Sequence, residues 1–347
     1  MAKLIATAAF VLSLCVACAF LVGQSAAGRF YQDKVEDKVR KEVEKAIAYN
    51  RGIGAALVRL VFHDCWVNGC DGSVLLDKTP ADGTNTEKKA VNNIGLAGFE
   101  LIDTIKQKVA NDNVSCADII AFAGRDAASI LSGGKISYAI TGGRMDGVSS
   151  SAAEADRVLP TSDFDFDQLR ANFDADFRKL TVEELVALSG AHSIGVAHLS
   201  SYADRLTDAT PEFQIDSSYR AALNGTTPPA LLKQGQNPAV PNNVRDETTA
   251  FQQQAEYDPA AMGVSPTRQV LDNSYYHNTL VNKVLFKSDW VLRTDGVASS
   301  KLQEYRDNPA QWSSDFAAAM AKLSNLPAQG KNFEIRKNCR YTNQQSY

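Results

Sequence analysis

Histidine is scarce in this chain, four in 347 residues, and cysteine, methionine and tryptophan number only six, four and three. Neither sign of charge dominates: 36 Lys plus Arg stand against 40 Asp plus Glu, a net charge of -4. A mildly acidic balance lacks the electrostatic footprint of a nucleic-acid binder, so no nucleic-acid partner is expected. Only 11 prolines and 22 glycines among 44% hydrophobic residues exclude collagen-like and disordered chains. No internal repeat occurs, which removes solenoids and propellers.

Long apolar runs are also few, and the longest stands at the very start. Lys3 precedes Leu4 to Val22, followed by Gln24, Ser25, Ala26 and Ala27. A basic residue, an apolar stretch and small residues at the end read as a signal peptide over 1–27, leaving 28–347 as one domain. Secretion is the expectation, and no membrane span. Cys15 and Cys18 fall in the leader, so the body keeps Cys65, Cys70, Cys116 and Cys339. In an oxidising compartment four cysteines allow three pairings. The simplest is nested: a local staple at Cys65–Cys70 and a long clasp at Cys116–Cys339, worth up to about 5 kcal/mol by loop entropy. The body contains no His-x-x-x-His or Cys-x-x-Cys pair, which removes a zinc hydrolase.

Periodicity makes the body mainly helical. Val35, Val39, Val43, Ala46 and Ile47 mark one buried face within Phe30 to Ala48. Leu57 to Cys65 is dense enough in apolar residues to be buried on most sides. Phe99, Ile102, Ile105 and Val109 mark a third helix. Ser115 with Asp118, and Thr181 with Glu184, have capping-box spacing before Ile119 to Leu131 and Val182 to Ser189. Lys135 to Ile140 reads as extended, and the proline-rich Asn224 to Met262 as a long surface excursion.

The few histidines carry the chemistry. His63 follows Arg59 by four residues, so both side chains leave one face of a buried helix. The segment reads Arg59-Leu-Val-Phe-His63-Asp-Cys-Trp-Val-Asn-Gly-Cys-Asp-Gly-Ser73, with a polar residue at each turn. It resembles the distal haem motif of the secreted class III plant peroxidases. Thr86-Glu87-Lys88 leading to Asn93 is similar to that family's next element, and Leu188-Ser-Gly-Ala-His192-Ser-Ile-Gly195 to its proximal haem motif. Asp272-Asn273 before Tyr275-Tyr276, Lys287-Ser-Asp289, and Ile335-Arg-Lys-Asn-Cys339 come in family order. The resemblance runs from Phe30 to about Cys339.

The resemblance implies the plant haem-peroxidase fold, mainly α, with distal and proximal halves enclosing one haem b, in a monomer. It makes His63 the distal base, Arg59 the cation that stabilises charge on the departing oxygen, and Asn93 the residue that orients His63. By the same likeness Phe62 lines the haem, His192 ligates its iron, and Asp289 accepts a hydrogen bond from His192. Hydrogen peroxide is the implied oxidant and small phenols the implied donors, with Pro160 at the donor contact. An implied distal calcium takes Asp64, Asp71 and Ser73 with the carbonyls of Val67 and Gly69. An implied proximal calcium takes Ser193, Thr267 and Asp272, in a run about two residues longer than the family pattern, where Ser265 is the alternative to Thr267; Asp258 stands in for an earlier carboxylate.

The chain departs from the pattern in its cysteines, four where the family carries eight. Val35 and Ala110 stand in for one missing pair, and Leu199 and the Asn224 region for the other, so Cys65–Cys70 and Cys116–Cys339 remain. Trp66 replaces a phenylalanine and is expected to fill the core, and Trp290 replaces a polar residue beside Asp289. His198 is expected on a polar helix face. Asn113-Val-Ser115 and Asn224-Gly-Thr226 are glycosylation sequons. The tail Arg340 to Tyr347 has no retention signal, which favours the extracellular space or wall. A non-catalytic haem-binding wall protein on the same scaffold is the competing reading; it would be favoured by substitution of Arg59, His63 or His192, and all three are present.

Overall fold

In the computed structural model, residues 34–110, 113–207, 215–226, 243–244 and 269–345 are described. The leader at 1–27, Thr267, Ser265, Asp258 and most of the Asn224 to Met262 excursion lie outside them. Helix α1, residues 34–49, buries Val35, Val39, Val43 and Ile47, one side chain per turn. Val35, at the place of the family's first cysteine, is thus a core residue. The central helix α2 (Gly52–Asn68) packs on α4 (Cys116–Leu131), and α3 (Phe99–Lys108) also packs on α4. Gly124 makes the α2–α4 packing possible: a Cβ there would come within 2.2 Å of Val61 Cγ2. The start of α4 is capped as its sequence predicts, Ser115 Oγ accepting from the Asp118 amide at 3.0 Å.

α5 (Ala152–Val158) packs on α2 and on the Glu87–Asn93 turns. A second group of helices follows, α6 (Phe166–Asp174) leading into α7 (Val182–Ser189). The Thr181–Glu184 capping box is formed in both directions, and Asp165 with Gln168 makes another at the start of α6. α8 (Ala203–Thr207) and α9 (Ser217–Thr226) form a small satellite core around Tyr202, Leu206, Tyr219 and Leu285. α10 (Ser274–Leu280), α11 (Lys287–Trp290), α12 (Gly296–Asp307) and α13 (Pro309–Ser324) close the group, with α12 and α13 against α7.

Strands are minimal among the described residues: β1 (Asp146–Gly147) pairs antiparallel with β4 (Phe333–Glu334), and β2 (Ala197–His198) with β3 (Asn243–Val244). Two expectations are corrected here. Lys135 to Ile140 is irregular backbone that joins no sheet, because no strand runs alongside to take its hydrogen bonds. His198 lies on β2 rather than on a helix, its backbone paired with Asn243 from within the proline-rich excursion.

Both nested disulfides form, Cys65–Cys70 and Cys116–Cys339. Around the second, the buried Asp146 carboxylate accepts from the amides of Cys116 and Ala117 at the positive end of α4, and from the Arg336 amide. The Arg336 guanidinium faces Asp146 at 3.7 Å and donates to the carbonyls of Gly72 and Cys339. One buried ion pair thus ties α4, the loop after α2 and the C-terminal segment together. Trp66 is fully buried as expected, stacked on Phe62 at 4.4 Å and covered by Arg178.

Candidate active site

On α2 between residues 53 and 67, every side chain is buried except Ile53, Ala56, Arg59 and Phe62. Ala56, Arg59 and Phe62 follow one another at three-residue steps and share one accessible face of an otherwise enclosed helix, while Ile53 lies half a revolution from Phe62. Its polar end is a hydrogen-bonded chain. Arg59 Nε donates to His63 Nε2 at 3.1 Å, and another guanidinium nitrogen to the Asn92 carbonyl at 3.0 Å. An imidazole nitrogen that accepts carries no proton, so His63 holds its proton on Nδ1 and donates it to Asn93 Oδ1 at 2.5 Å. Asn93 is held in that orientation because its amide nitrogen donates to the Glu87 carbonyl at 2.8 Å. Burial, and then the adjacent Arg59 charge, lower the His63 pKa to about 3, while burial lowers that of Arg59 to about 10. His63 is therefore a neutral base near neutrality and Arg59 a cation.

A second histidine stands in the turn after α7. Gly190–Ser193 is a single 3-10 turn, followed by Ile194 and Gly195, and Ala191, His192, Ile194 and Gly195 are all partly accessible. The His192 side chain is 43% exposed, whereas Asp289 behind it is 2% exposed and accepts from His192 Nδ1 at 2.8 Å. Fixing the proton on Nδ1 leaves Nε2 as the lone-pair nitrogen on the accessible side. Tyr275 donates to the same Asp289 Oδ1 at 2.8 Å, and the Phe286 ring stands edge-on to His192 at 5.3 Å. Gly190 is required by close packing: a Cβ there would lie 2.6 Å from both Trp312 Nε1 and the Tyr276 hydroxyl.

The two sides are clasped at one end by groups that no sequence motif marks. Arg51, at the start of α2, donates to the Gln269 carbonyl at 2.6 Å, and the Gln269 side chain accepts from the Gly195 amide. At another edge, the Ser288 amide beside Asp289 donates to Ser162 at 2.9 Å, which ties the half-buried Pro160 loop to the proximal helix α11.

These residues fit a haem. Ala56, Phe62 and Phe286 offer apolar walls for a flat macrocycle. His192 offers a neutral nitrogen whose carboxylate partner raises its basicity.

The loop after α2 fits a hard cation. Both carboxylate oxygens of Asp64 and Oε2 of Glu87 are buried without hydrogen-bond partners. Burial first, and mutual repulsion next, raise the pKa of Asp64, while burial raises that of Asp71 to about 6 and that of Glu87 to about 8. Buried oxygens of this kind are stabilised by a divalent cation, as calcium ligation requires. Asp64, Asp71 and Ser73 are all buried here, with Val67 and Gly69 in the same stapled loop. Glu87 joins them although its sequence position suggested no such role; its place in Thr86-Glu87-Lys88 was the available signal. On the proximal side, Ser193 and Asp272 come together, the Asp272 amide donating to Ser193 Oγ at 3.4 Å. Thr267 lies outside the described residues.

Known proteins resemble this chain over most of its length. The peroxidase family model matches residues 39–308. Peroxidase 2 of Zea mays is 38% identical over 319 residues, 91% of this chain and 88% of that protein. Peroxidase 5 of Vitis vinifera is also 38% identical, over 88% of this chain and 87% of its own length, and Peroxidase P7 of Brassica rapa is 33% identical over 88% and 94%. The chain belongs to the plant peroxidase family, in its class III branch, and is a peroxidase. Two disulfides are formed among the described residues, where four are typical of the class.

Proposed function

We propose that this chain is a secreted, monomeric peroxidase that binds haem b, reduces hydrogen peroxide and oxidises small phenolic or aromatic donors in one-electron steps. Haem, when bound, supplies the redox centre through which two electrons pass to peroxide and are recovered from two donors. His192 holds the iron, with Asp289 fixing its tautomer and Phe62 and Phe286 lining the ring. On the opposite side His63 takes the peroxide proton at Nε2 and returns it to the departing oxygen, its Nδ1 proton held by Asn93. Arg59 stabilises the charge that develops as the oxygen–oxygen bond breaks, a preorganised electrostatic contribution made by a group that keeps its proton. Pro160 stands at the donor contact.

Calcium is assigned to Asp64, Asp71 and Ser73 with the Val67 and Gly69 carbonyls, and a second ion to Ser193, Asp272 and Thr267. The leader at 1–27 directs the protein out of the cell, to the extracellular space or wall. No helix among the described residues is long and apolar enough to cross a membrane.

The observation that carries this reading is the Arg59–His63–Asn93 chain, which leaves an unprotonated ring nitrogen on the buried His63 beside Arg59, a cation on the accessible face of α2. Arg59, His63 and His192 in working geometry speak against the non-catalytic scaffold. The test is the visible spectrum of the haem-loaded protein before and after one equivalent of hydrogen peroxide, beside His63→Leu. A rapid change of the Soret band that becomes far slower in the variant is expected. A ferric spectrum that persists in the parent sinks the proposal.

A further inference from the structure

Peroxidase turnover holds two oxidising equivalents inside the protein until donors arrive, and a file of rings leads away from the proximal histidine, with a side branch from Tyr276 to Trp312 at 5.9 Å, whose Nε1 donates to the Ala187 carbonyl and so faces no base. Tyr275 stands edge-on to His192 with centroids 6.0 Å apart, Tyr276 edge-on to Tyr275 at 5.1 Å, and Tyr305 edge-on to Tyr276 at 5.1 Å. All three tyrosines are buried. Rings in van der Waals contact couple electronically far better than rings separated by solvent or aliphatic packing, so a hole on this file has a continuous aromatic path.

The hydroxyl partners decide where such a hole can rest. Loss of an electron makes a phenol strongly acidic, so a tyrosine stabilises the hole only where a base can take the proton and later return it. The Tyr305 hydroxyl donates to Asp315 Oδ2 at 2.9 Å, a carboxylate whose side chain is 31% exposed. Tyr276 donates instead to the Val186 and Ala187 carbonyls at 2.9 and 3.0 Å. Amide carbonyls accept a hydrogen bond but are too weakly basic to hold the proton. Lys301 lies 5.3 Å from the Tyr305 ring centroid and 3.9 Å from Asp315, so positive charge on the ring is disfavoured and the neutral phenoxyl is favoured.

We propose that Tyr275, Tyr276 and Tyr305 form a relay that carries oxidising equivalents from the haem pocket to Tyr305 when no donor is bound. This rests on the peroxidase reading of the site. Tyr275 donates to Asp289 Oδ1, which already accepts the His192 Nδ1 proton and is the weaker base for it, so Tyr275 and Tyr276 are the bridging rings and Tyr305 the resting place. In the step, Tyr305 loses one electron to the oxidised haem pocket and its phenolic proton passes to Asp315. A one-electron reductant at the surface, of the phenol or enediol class, then supplies an electron and Asp315 returns the proton. Two such transfers, with two protons from solvent, complete the reduction of one hydrogen peroxide to two waters. The relay spares the pocket from self-oxidation and lets a reductant too bulky for the Pro160 contact be oxidised from outside.

The experiment is to mix the haem-loaded parent, Tyr305→Phe and Asp315→Asn with one equivalent of hydrogen peroxide and no donor. Samples are frozen over milliseconds to seconds for electron paramagnetic resonance, with the visible spectrum recorded in parallel. The parent is expected to give a neutral tyrosyl signal as the oxidised haem spectrum decays. Tyr305→Phe loses that signal, and Asp315→Asn, which keeps the ring, loses it too. Both variants keep parental turnover of small phenols and bleach faster under peroxide alone. A haem spectrum that responds to peroxide while the tyrosyl signal is missing in the parent, or survives in Tyr305→Phe, overturns the relay and leaves the peroxidase reading intact. A haem spectrum that does not respond overturns both.

Discussion

Behind the ring of His63 stands an amide, Asn93 at 2.5 Å, and behind the ring of His192 stands a carboxylate, Asp289 at 2.8 Å. Each partner accepts the Nδ1 proton, so each histidine keeps Nε2 as its lone-pair nitrogen. The difference is charge. A neutral amide favours imidazolium only through its hydrogen bond, and burial and the Arg59 charge outweigh that, so His63 stays a free base. A buried carboxylate instead draws the proton toward itself, which makes His192 a stronger ligand and favours the oxidised metal. Surroundings repeat the contrast. His63 sits on the helix that begins the Cys65–Cys70 staple, near orphaned carboxylate oxygens, whereas His192 is surrounded by the rings of Tyr275 and Phe286.

The largest way to break the contrast is His63→Leu. Removing the base is expected to slow the reaction with hydrogen peroxide by roughly 10²–10⁴-fold, read by stopped flow, with haem uptake retained. Next is Asp289→Asn, which puts an amide behind both histidines. Peroxidase activity or haem retention should fall by about 10–100-fold, measured by steady-state rates and titration with haem. An unchanged rate and affinity would mean that the carboxylate merely packs.

Asn93→Asp makes the opposite exchange. An anionic acceptor favours imidazolium and raises the His63 pKa from about 3. The base is lost as pH falls through that pKa, so the acid limb of the peroxide rate profile moves upward, by about 1–3 pH units. A limb that stays in place would show that Asn93 does not face the protonated nitrogen. The smallest effect belongs to Tyr275→Phe, which frees Asp289 Oδ1 from a second donor. The iron midpoint potential should become slightly more negative, by less than the change Asp289→Asn makes in the positive direction, as potentiometry would show.

Much of this arrangement was legible in the residues. Arg59 and His63 are neighbours because a four-residue step on a helix puts them together, and Ser115 and Thr181 cap their helices because short hydroxyl side chains reach the third amide. The capped helix Val182 to Ser189 also predicted where His192 falls. By contrast, His192 and Asp289 are 97 positions apart, and no local rule joins them; only the resemblance did. Arg51–Gln269–Gly195, Tyr275–Asp289 and Glu87 beside Asp71 were missed for the same reason. Each depends on tertiary packing between distant segments. His198 went to a strand because its partner Asn243 comes from a stretch without periodicity, which gave no sign of pairing.

The partner behind the ring, not the ring, assigns each histidine its role. The iron midpoint potential of haem-loaded Asp289→Asn against the parent tests this most directly. A clearly more positive potential is predicted in the variant, since an amide cannot give His192 the charge that stabilises ferric iron. A potential equal to the parent's, or more negative, would contradict it.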